Sequence, residues 1–490
     1  MIQLILVLLA GLLTTVYLYF SYTYKYWTKK GILQEPPIFL FGNMLDLILD
    51  KRNAGMIYTA VYNKYENHDA VGVYEFQTPK LLVRNPDLFE KILIEDFSSF
   101  SDNEIKVSLK IEPFMANNSF LVGGEKWKPA RNALINGLTK SKLKDMYELM
   151  KPTAIHLKSY IEDNMDQDFE ALDLAHLFMM TNVSNTVYGI ESNCFKDPDA
   201  MYHKMVKLFS KNWQSRWKVM LIFHFQRLRD FFGVNYIPQQ VTDFVESMVK
   251  QVVDVRLKNN IKRNDFLHYY LNLNKPLEDK ITQIIRNGVT FFIGGFDTSS
   301  VPSSNLMHEL ALNPSIQENL YQELFEAYQG KTDLDYDTLM NLPLLDRAFK
   351  EVLRKYPVLF NSGKVCTKPT TLEIDGRTIK ISKGTTVMIP VYAVHHDPQH
   401  YIDPEVFDPE RFTPEGINSR HPLTWLPFGA GPRICAGINF GLLQAKLFLA
   451  TIVYNFKIEK TTKTPQKLTC KTSSYFFLPE EKQWIRLIKR

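Results

Sequence analysis

The sequence predicts a mainly α-helical protein with small β-sheets, carried behind a single N-terminal membrane-spanning helix. Three observations predict this class. Residues 2–24 form an uncharged apolar run. Residues 140–260 and 277–312 carry helix-like patterning. The strand-like runs between and around them are short. The chain has 490 residues, 45% of them hydrophobic, which is ample for a sizeable core. No internal repeat or low-complexity tract divides it. The formal net charge of +5 suits an anionic membrane surface or an acidic protein partner. Lys and Arg never gather into a long basic block, which argues against nucleic acid.

Residues 2–24 are long enough to cross a bilayer as a helix. Lys25, Lys29 and Lys30 follow, and no basic residue precedes the run, so the positive-inside rule leaves the rest of the chain in the cytosol. The rival, a cleaved secretory signal, lacks a basic n-region and a small-residue cleavage site. Gln34-Glu35-Pro36-Pro37 reads as a stiff extended spacer. The expected organisation is an anchor at 1–24, a basic and proline-rich linker at 25–42, and one catalytic domain at 43–490. Of the four cysteines, Cys194, Cys366, Cys435 and Cys470, three cannot all pair if one holds a metal, which fits a reducing compartment. Asn117-Asn118-Ser119 and Asn182-Val183-Ser184 match the glycosylation sequon and are read as unused.

Val71-Gly72-Val73-Tyr74 and Lys80-Leu81-Leu82-Val83 read as strands, and residues 103–122 as a long loop. Trp127 and Arg131, four apart, share one helical face, where a surface Arg stacked on a Trp is one reading. The bulky apolar run 213–236 could be core. Residues 277–312 read as one long helical region whose middle is Gly294-Gly295-Phe296-Asp297-Thr298-Ser299. Two glycines there cost about 1 kcal/mol each relative to alanine. They make sense if a flat ligand lies against the backbone, or if another helix packs closely. An acid beside a hydroxyl, in a helix that opens locally, can relay protons. Pro302 cannot donate to the Thr298 carbonyl, so a kink or widened turn is expected near Thr298.

Glu351 and Arg354 share a helical face, as a solvated surface pair would. Residues 370–374, 378–381 and 386–390 read as strands, and the tail 473–487 ends in strands. His395, His396 and His400 invite a metal site, but Asp397-Pro398 interrupts the segment, so a loop is the better reading.

The most informative stretch is Phe428-Gly429-Ala430-Gly431-Pro432-Arg433-Ile434-Cys435-Ala436-Gly437, followed at once by an apolar, helix-like run. Cys435 therefore lies at a helix start, where backbone N–H groups and the helix dipole lower a thiol pKa and favour a metal ligand or nucleophile. Gly431 and Gly437 let something flat approach the backbone. Arg433 can reach an anionic group beside the metal. A lone cysteine is more commonly a small buried hydrophobe. A dinucleotide fingerprint fails because Ile434 stands where the third glycine belongs.

The pattern F-x-x-G-x-R-x-C-x-G resembles the haem-binding loop of cytochromes P-450. The W-x-x-x-R, G-G-F-D-T-S, E-x-x-R and P-E-R-F segments stand in that family's order, and the resemblance covers nearly the whole chain after the anchor. Arg263-Asn264-Asp265-Phe266-Leu267 and the wording around the cysteine are similar to insect-type microsomal members.

The resemblance implies the P-450 fold, with Cys435 as axial ligand of haem (heme b, iron protoporphyrin IX). Phe428, Gly431, Arg433, Gly437, Gly294 and Gly295 would contact the cofactor. Trp127 and Arg131 would donate to a propionate. Lys364 stands where relatives often carry an arginine to a propionate, and keeps the charge without bidentate geometry. Asp297 and Thr298 would deliver protons to bound dioxygen. Glu351, Arg354 and Arg411 would form a buried structural ion-pair network. Residues 103–122 would cover the substrate, a turn in the tail would form pocket wall, and 213–236 would lie near a lid facing lipid.

The implied activity is a monooxygenase that inserts one atom of O2 into an apolar small molecule, a xenobiotic or an endogenous lipid or hormone. No NADPH or flavin site is seen, so electrons would come from membrane-bound NADPH–P-450 reductase, with cytochrome b5 a further candidate donor. The setting would be the endoplasmic reticulum membrane, the catalytic domain in the cytosol. A haem-thiolate isomerase or dehydratase that uses no O2, and a non-catalytic haem sensor, are the alternatives. The Asp297-Thr298 pair argues against the first and the enclosed distal motif against the second.

Overall fold

The computed structural model describes residues 1–197, 200, 203 and 216–490. Its first helix, Ile2–Thr23, is long and apolar, and only 6% of its most hydrophobic window is buried. A helix this apolar and this bare is suited to lipid. Tyr26–Lys29 forms a short helix that buries Trp27 completely. The Trp27 ring lies over Gly72, where any side chain would collide with it. Gln34 pairs beside Gly72, and Glu35 N–H donates to its carbonyl at 2.9 Å. The segment expected as a spacer is thus docked along a sheet edge, because the missing side chain at Gly72 makes room for an indole.

The main sheet has five strands in the order Ala70–Glu75, Thr78–Val83, Thr386–Ile389, Ser362–Val365, Asp102–Asn103. The first pair is an antiparallel hairpin, and Lys80 pairs with Thr386 in parallel register. Thr370–Ile374 and Arg377–Ile381 form a separate hairpin. Asp375 and Gly376 both take positive φ there, the two-residue turn whose twist suits paired strands. The tail contributes Trp484–Lys489 to a third sheet between Phe169–Glu170 and Phe456–Lys460. The expected strands are all present within a residue or two.

Helices make up the rest. Lys140–Glu162, Ala171–Val183 and Gln239–Asn259 occupy the expected helical zone. Asn182 is fully buried in the second of these, out of reach of glycosylation in the folded state. Ile438–Asn455 runs through the core with twelve buried residues and packs on Asp297–Leu312 and Lys140–Glu162. Residues 213–215 of the bulky run lie outside the described residues. In the remainder Val219 and Ile222 are buried, as the core reading expects, while Trp217, Leu228, Phe231 and Phe232 are exposed, so the run is core at only some of its residues.

The loop at 103–122 is largely irregular, as expected, and is tied to the segment 226–237. Glu112 accepts from Tyr236 N–H and Ile237 N–H at 2.7 and 2.8 Å. Arg229 donates to the Lys106 carbonyl at 2.8 Å. His395 is the last residue of the helix Val391–His395, so the loop reading fails for it, whereas His396 and His400 lie in the irregular segment that follows. Both rings are spoken for: His395 Nε2 accepts from Leu426 N–H at 2.8 Å, and His396 stacks on Tyr392.

Candidate active site

The loop before Ile438–Asn455 is shaped by glycines. Gly429 and Gly431 take φ of +70° and +69°, which L side chains rarely adopt. A Cβ on Gly431 would also strike the Leu93 carbonyl. Residues 431–433 form a 3-10 turn, and Gly437 sits at the N-cap of the helix. Cys435 N–H donates to Phe428 O at 2.9 Å, closing the loop on itself. The Cys435 side chain is open on one side. Added methyls at Gly294, Gly429 and Gly437 would meet nothing within 4 Å, so these backbones also face open space.

Burial pushes the Cys435 thiol above its ordinary pKa, against the pull of the Gly437 backbone and the Arg131 guanidinium. The sequence expectation of a lowered value is corrected here. The helix start and the cation act in the expected direction, but loss of hydration outweighs them. A metal cation at sulfur reverses the balance, because a coordinating thiol is deprotonated outright.

Three cations converge beside the loop. The Arg433 side chain is buried, and it donates to the carbonyls of Ser101 at 2.6 Å and Val122 at 2.9 Å, with Asp102 3.9 Å away. Its guanidinium lies 4.7 Å over the Trp127 ring. Lys364 donates to Asn103 Oδ1 at 2.7 Å. Arg131 makes no hydrogen bond or ion pair among the described residues. Burial holds all three below their ordinary values: Arg433 at about 10, with Arg131 adding to the effect, and Lys364 at about 8, with Arg433 adding. Crowded, desolvated cations with Asp102 as the one carboxylate beside Arg433 among the described residues form a site short of negative charge. A flat, dianionic, iron-bearing porphyrin fits it. Such a group needs a sulfur donor, backbone clearance and counter-charge, and an accessible thiol, bare glycines and three cations lie together here. Arg433 itself points at the backbone carbonyls of Ser101 and Val122, so part of its charge holds the two ends of the loop at 103–122.

The expected single helix over 277–312 is two. Leu277–Gly294 stops, Gly295 and Phe296 intervene, and Asp297–Leu312 restarts. The break falls at the glycines, ahead of Thr298, and Pro302 lies inside an unbroken second helix. Pro302 lies past the N-terminal positions whose N–H groups lack helical acceptors, so the Thr298 carbonyl goes without its usual backbone donor, yet the helix continues unbroken through it. Side chains satisfy the carbonyls freed by the break. Thr298 Oγ1 donates to Gly294 O at 2.7 Å, and Gln444 Nε2 donates to Gly295 O at 2.6 Å and to Ser299 Oγ at 2.9 Å. Asp297 Oδ1 lies 3.0 Å from His176 Nε2. Sequence reading missed His176 and Gln444, since no local motif marks them.

Glu351 and Arg354 are wholly buried, so the solvated-pair reading is excluded. Arg354 Nε and Nη2 hold the two Glu351 oxygens at 2.7 and 2.8 Å, a bidentate pair. Arg354 also donates to the His395 and Val406 carbonyls, and Glu351 accepts from Asp408 N–H at 3.0 Å. Arg411 Nε stands 3.4 Å from Glu351 Oε1. Trp425, next to the cysteine loop, donates to the Lys350 carbonyl at 3.2 Å, linking this network to the loop.

Residues 33–486 match the family model described as Cytochrome P450. Among curated proteins the chain is 33% identical to "Probable cytochrome P450 6a13" of Drosophila melanogaster, over 99% of this chain and 98% of that one. It is 32% identical to "Cytochrome P450 6A1" of Musca domestica, over 97% and 96%. It is 31% identical to "Cytochrome P450 6B7" of Helicoverpa armigera, over 94% and 93%.

Proposed function

The chain belongs to the cytochrome P450 family of haem-thiolate monooxygenases, and from that premise we propose how its own residues serve the reaction and where it works. Members of the family bind haem through a cysteine thiolate and use O2, a redox partner and apolar substrates. Haem supplies dioxygen activation, and a thiolate ligand favours O–O cleavage.

Cys435 would hold the haem iron through its sulfur. The observation that carries this is its place: an accessible sulfur at a helix start, in a loop bent by two left-handed glycines. Arg131, Lys364 and Arg433 neutralise the propionates, with Trp127 beside them. Phe428, Gly431, Gly437, Gly294 and Gly295 shape the walls of the slot. Asp297 and Thr298 sit at the helix restart, where a carboxylate beside a hydroxyl would hold and move protons during the reaction. Glu351, Arg354 and Arg411 hold the fold behind the loop and touch no substrate.

The substrate is an apolar xenobiotic or an endogenous lipid or hormone. Electrons come from NADPH through the membrane-bound NADPH–P-450 reductase, with cytochrome b5 as a second donor. Residues 1–24 anchor the protein in the endoplasmic reticulum, residues 25–42 link, and 43–490 form the catalytic domain on the cytosolic side. Reconstitution with reductase tests this reading. Reduced protein with carbon monoxide should show the long-wavelength band of thiolate ligation, Cys435→Ala should lose it, and NADPH consumption should rise with a substrate that shifts the Soret band. An unchanged band in the variant would remove Cys435 from the iron. Turnover without NADPH or O2 would favour the isomerase alternative.

A further inference from the structure

The helix Ala171–Val183 packs along Asp297–Leu312. From it His176 reaches the point where the interrupted helix restarts. Its Nε2 lies 3.0 Å from Asp297 Oδ1, and its ring centroid lies 5.5 Å from that of Phe296. The Asp297 side chain is 41% exposed and that of His176 17%. A carboxylate in a first helical turn has a competing use, because unpaired N–H groups of its own helix attract it. An ionised carboxylate only accepts, so the imidazole must present N–H at Nε2. One oxygen is thereby held toward the neighbouring helix. The other is left for water and for Thr298, whose hydroxyl rests on the Gly294 carbonyl at 2.7 Å.

We infer that His176 is a positioning residue for proton delivery: it fixes Asp297 so that the free carboxylate oxygen faces the gap at Gly295 rather than its own helix. This rests on the proposed role of Asp297 and Thr298. The side chain acts through Asp297.

The test uses the full-length, haem-loaded protein with its reductase. His176→Phe keeps a ring against Phe296 and removes the donor; His176→Gln keeps a donor. Two quantities are read: the share of NADPH electrons recovered as hydrogen peroxide, and the thermal unfolding midpoint. His176→Phe should raise the peroxide share severalfold with the carbon monoxide band intact, and His176→Gln should restore most of the coupling. Asp297→Asn combined with His176→Phe should leak no more than Asp297→Asn alone, and its midpoint should fall no further than that of the worse single variant. Should His176→Phe lose the band, His176→Met, with similar reach and no donor, takes its place. Additive effects in both readouts overturn the inference, as does wild-type coupling in His176→Phe when Asp297→Asn leaks. If Asp297→Asn and Thr298→Val both couple like wild type, the proton-delivery reading itself falls, and this inference with it.

Discussion

Replacing Arg354 with methionine isolates the energetic role of the buried network. Arg354 and Glu351 are both fully buried, and Arg354 holds two carboxylate oxygens and two backbone carbonyls. Removing it strands the Glu351 charge with one backbone N–H and with Arg411 at 3.4 Å. Breaking a buried pair from one side costs about 3–5 kcal/mol, because the remaining charge keeps its desolvation penalty and loses its partner. Unfolding entropy of ~2 cal/mol/K per residue, over 490 residues, amounts to ~1 kcal/mol/K. The midpoint should therefore fall by about 3–5 °C. Circular dichroism melts of haem-loaded protein at fixed scan rate measure it. The double variant Glu351→Met, Arg354→Met should lose less than the two single losses together, since it strands no charge in the pair. A loss under ~1 kcal/mol for Arg354→Met, or strict additivity in the double, refutes the reasoning.

Thr298→Val keeps the volume and removes the hydroxyl that holds Gly294 O; it should retain the carbon monoxide band while sending severalfold more electrons to peroxide, read by peroxide assay against NADPH consumed. Lys364 titrates near 8 when folded, because burial and then Arg433 disfavour its charge, and near its ordinary, higher value when unfolded. Between pH 8 and about 10.4 the unfolded state binds more protons, so stability of haem-free protein should rise with pH, and Lys364→Met should flatten that slope in urea titrations. Haem binding should shrink the difference if a propionate pairs with Lys364. Carbonate washing should leave the protein in membranes through Ile2–Thr23, and external protease should digest the domain in intact microsomes; release by carbonate or protection from protease refutes the anchored, cytosolic arrangement.

The amino-acid order alone determined the features written in contiguous residues. The apolar anchor, the hairpin strands, the glycine-bent loop around Cys435 and the Glu351–Arg354 spacing each depend on neighbours a few positions away. Local sterics and helical or strand periodicity make such features legible. Tertiary structure decided the rest. His176 meets Asp297 across 121 positions, Gln444 meets Gly295 across 149, and Trp425 reaches Lys350 across 75. None of these pairs leaves a local signature. The direction of the Cys435 thiol shift was out of reach of the sequence for a related reason: dipole and neighbouring charge can be read from local order, whereas desolvation depends on how much distant chain packs on the sides of the sulfur that are not open. The break in the distal helix shows both causes together. Gly294 and Gly295 announce weakness, but its exact place is set by the side chains that satisfy the freed carbonyls, one of them from the helix that follows the cysteine. Buried polar groups must find partners, and only the folded chain determines which partners are within reach.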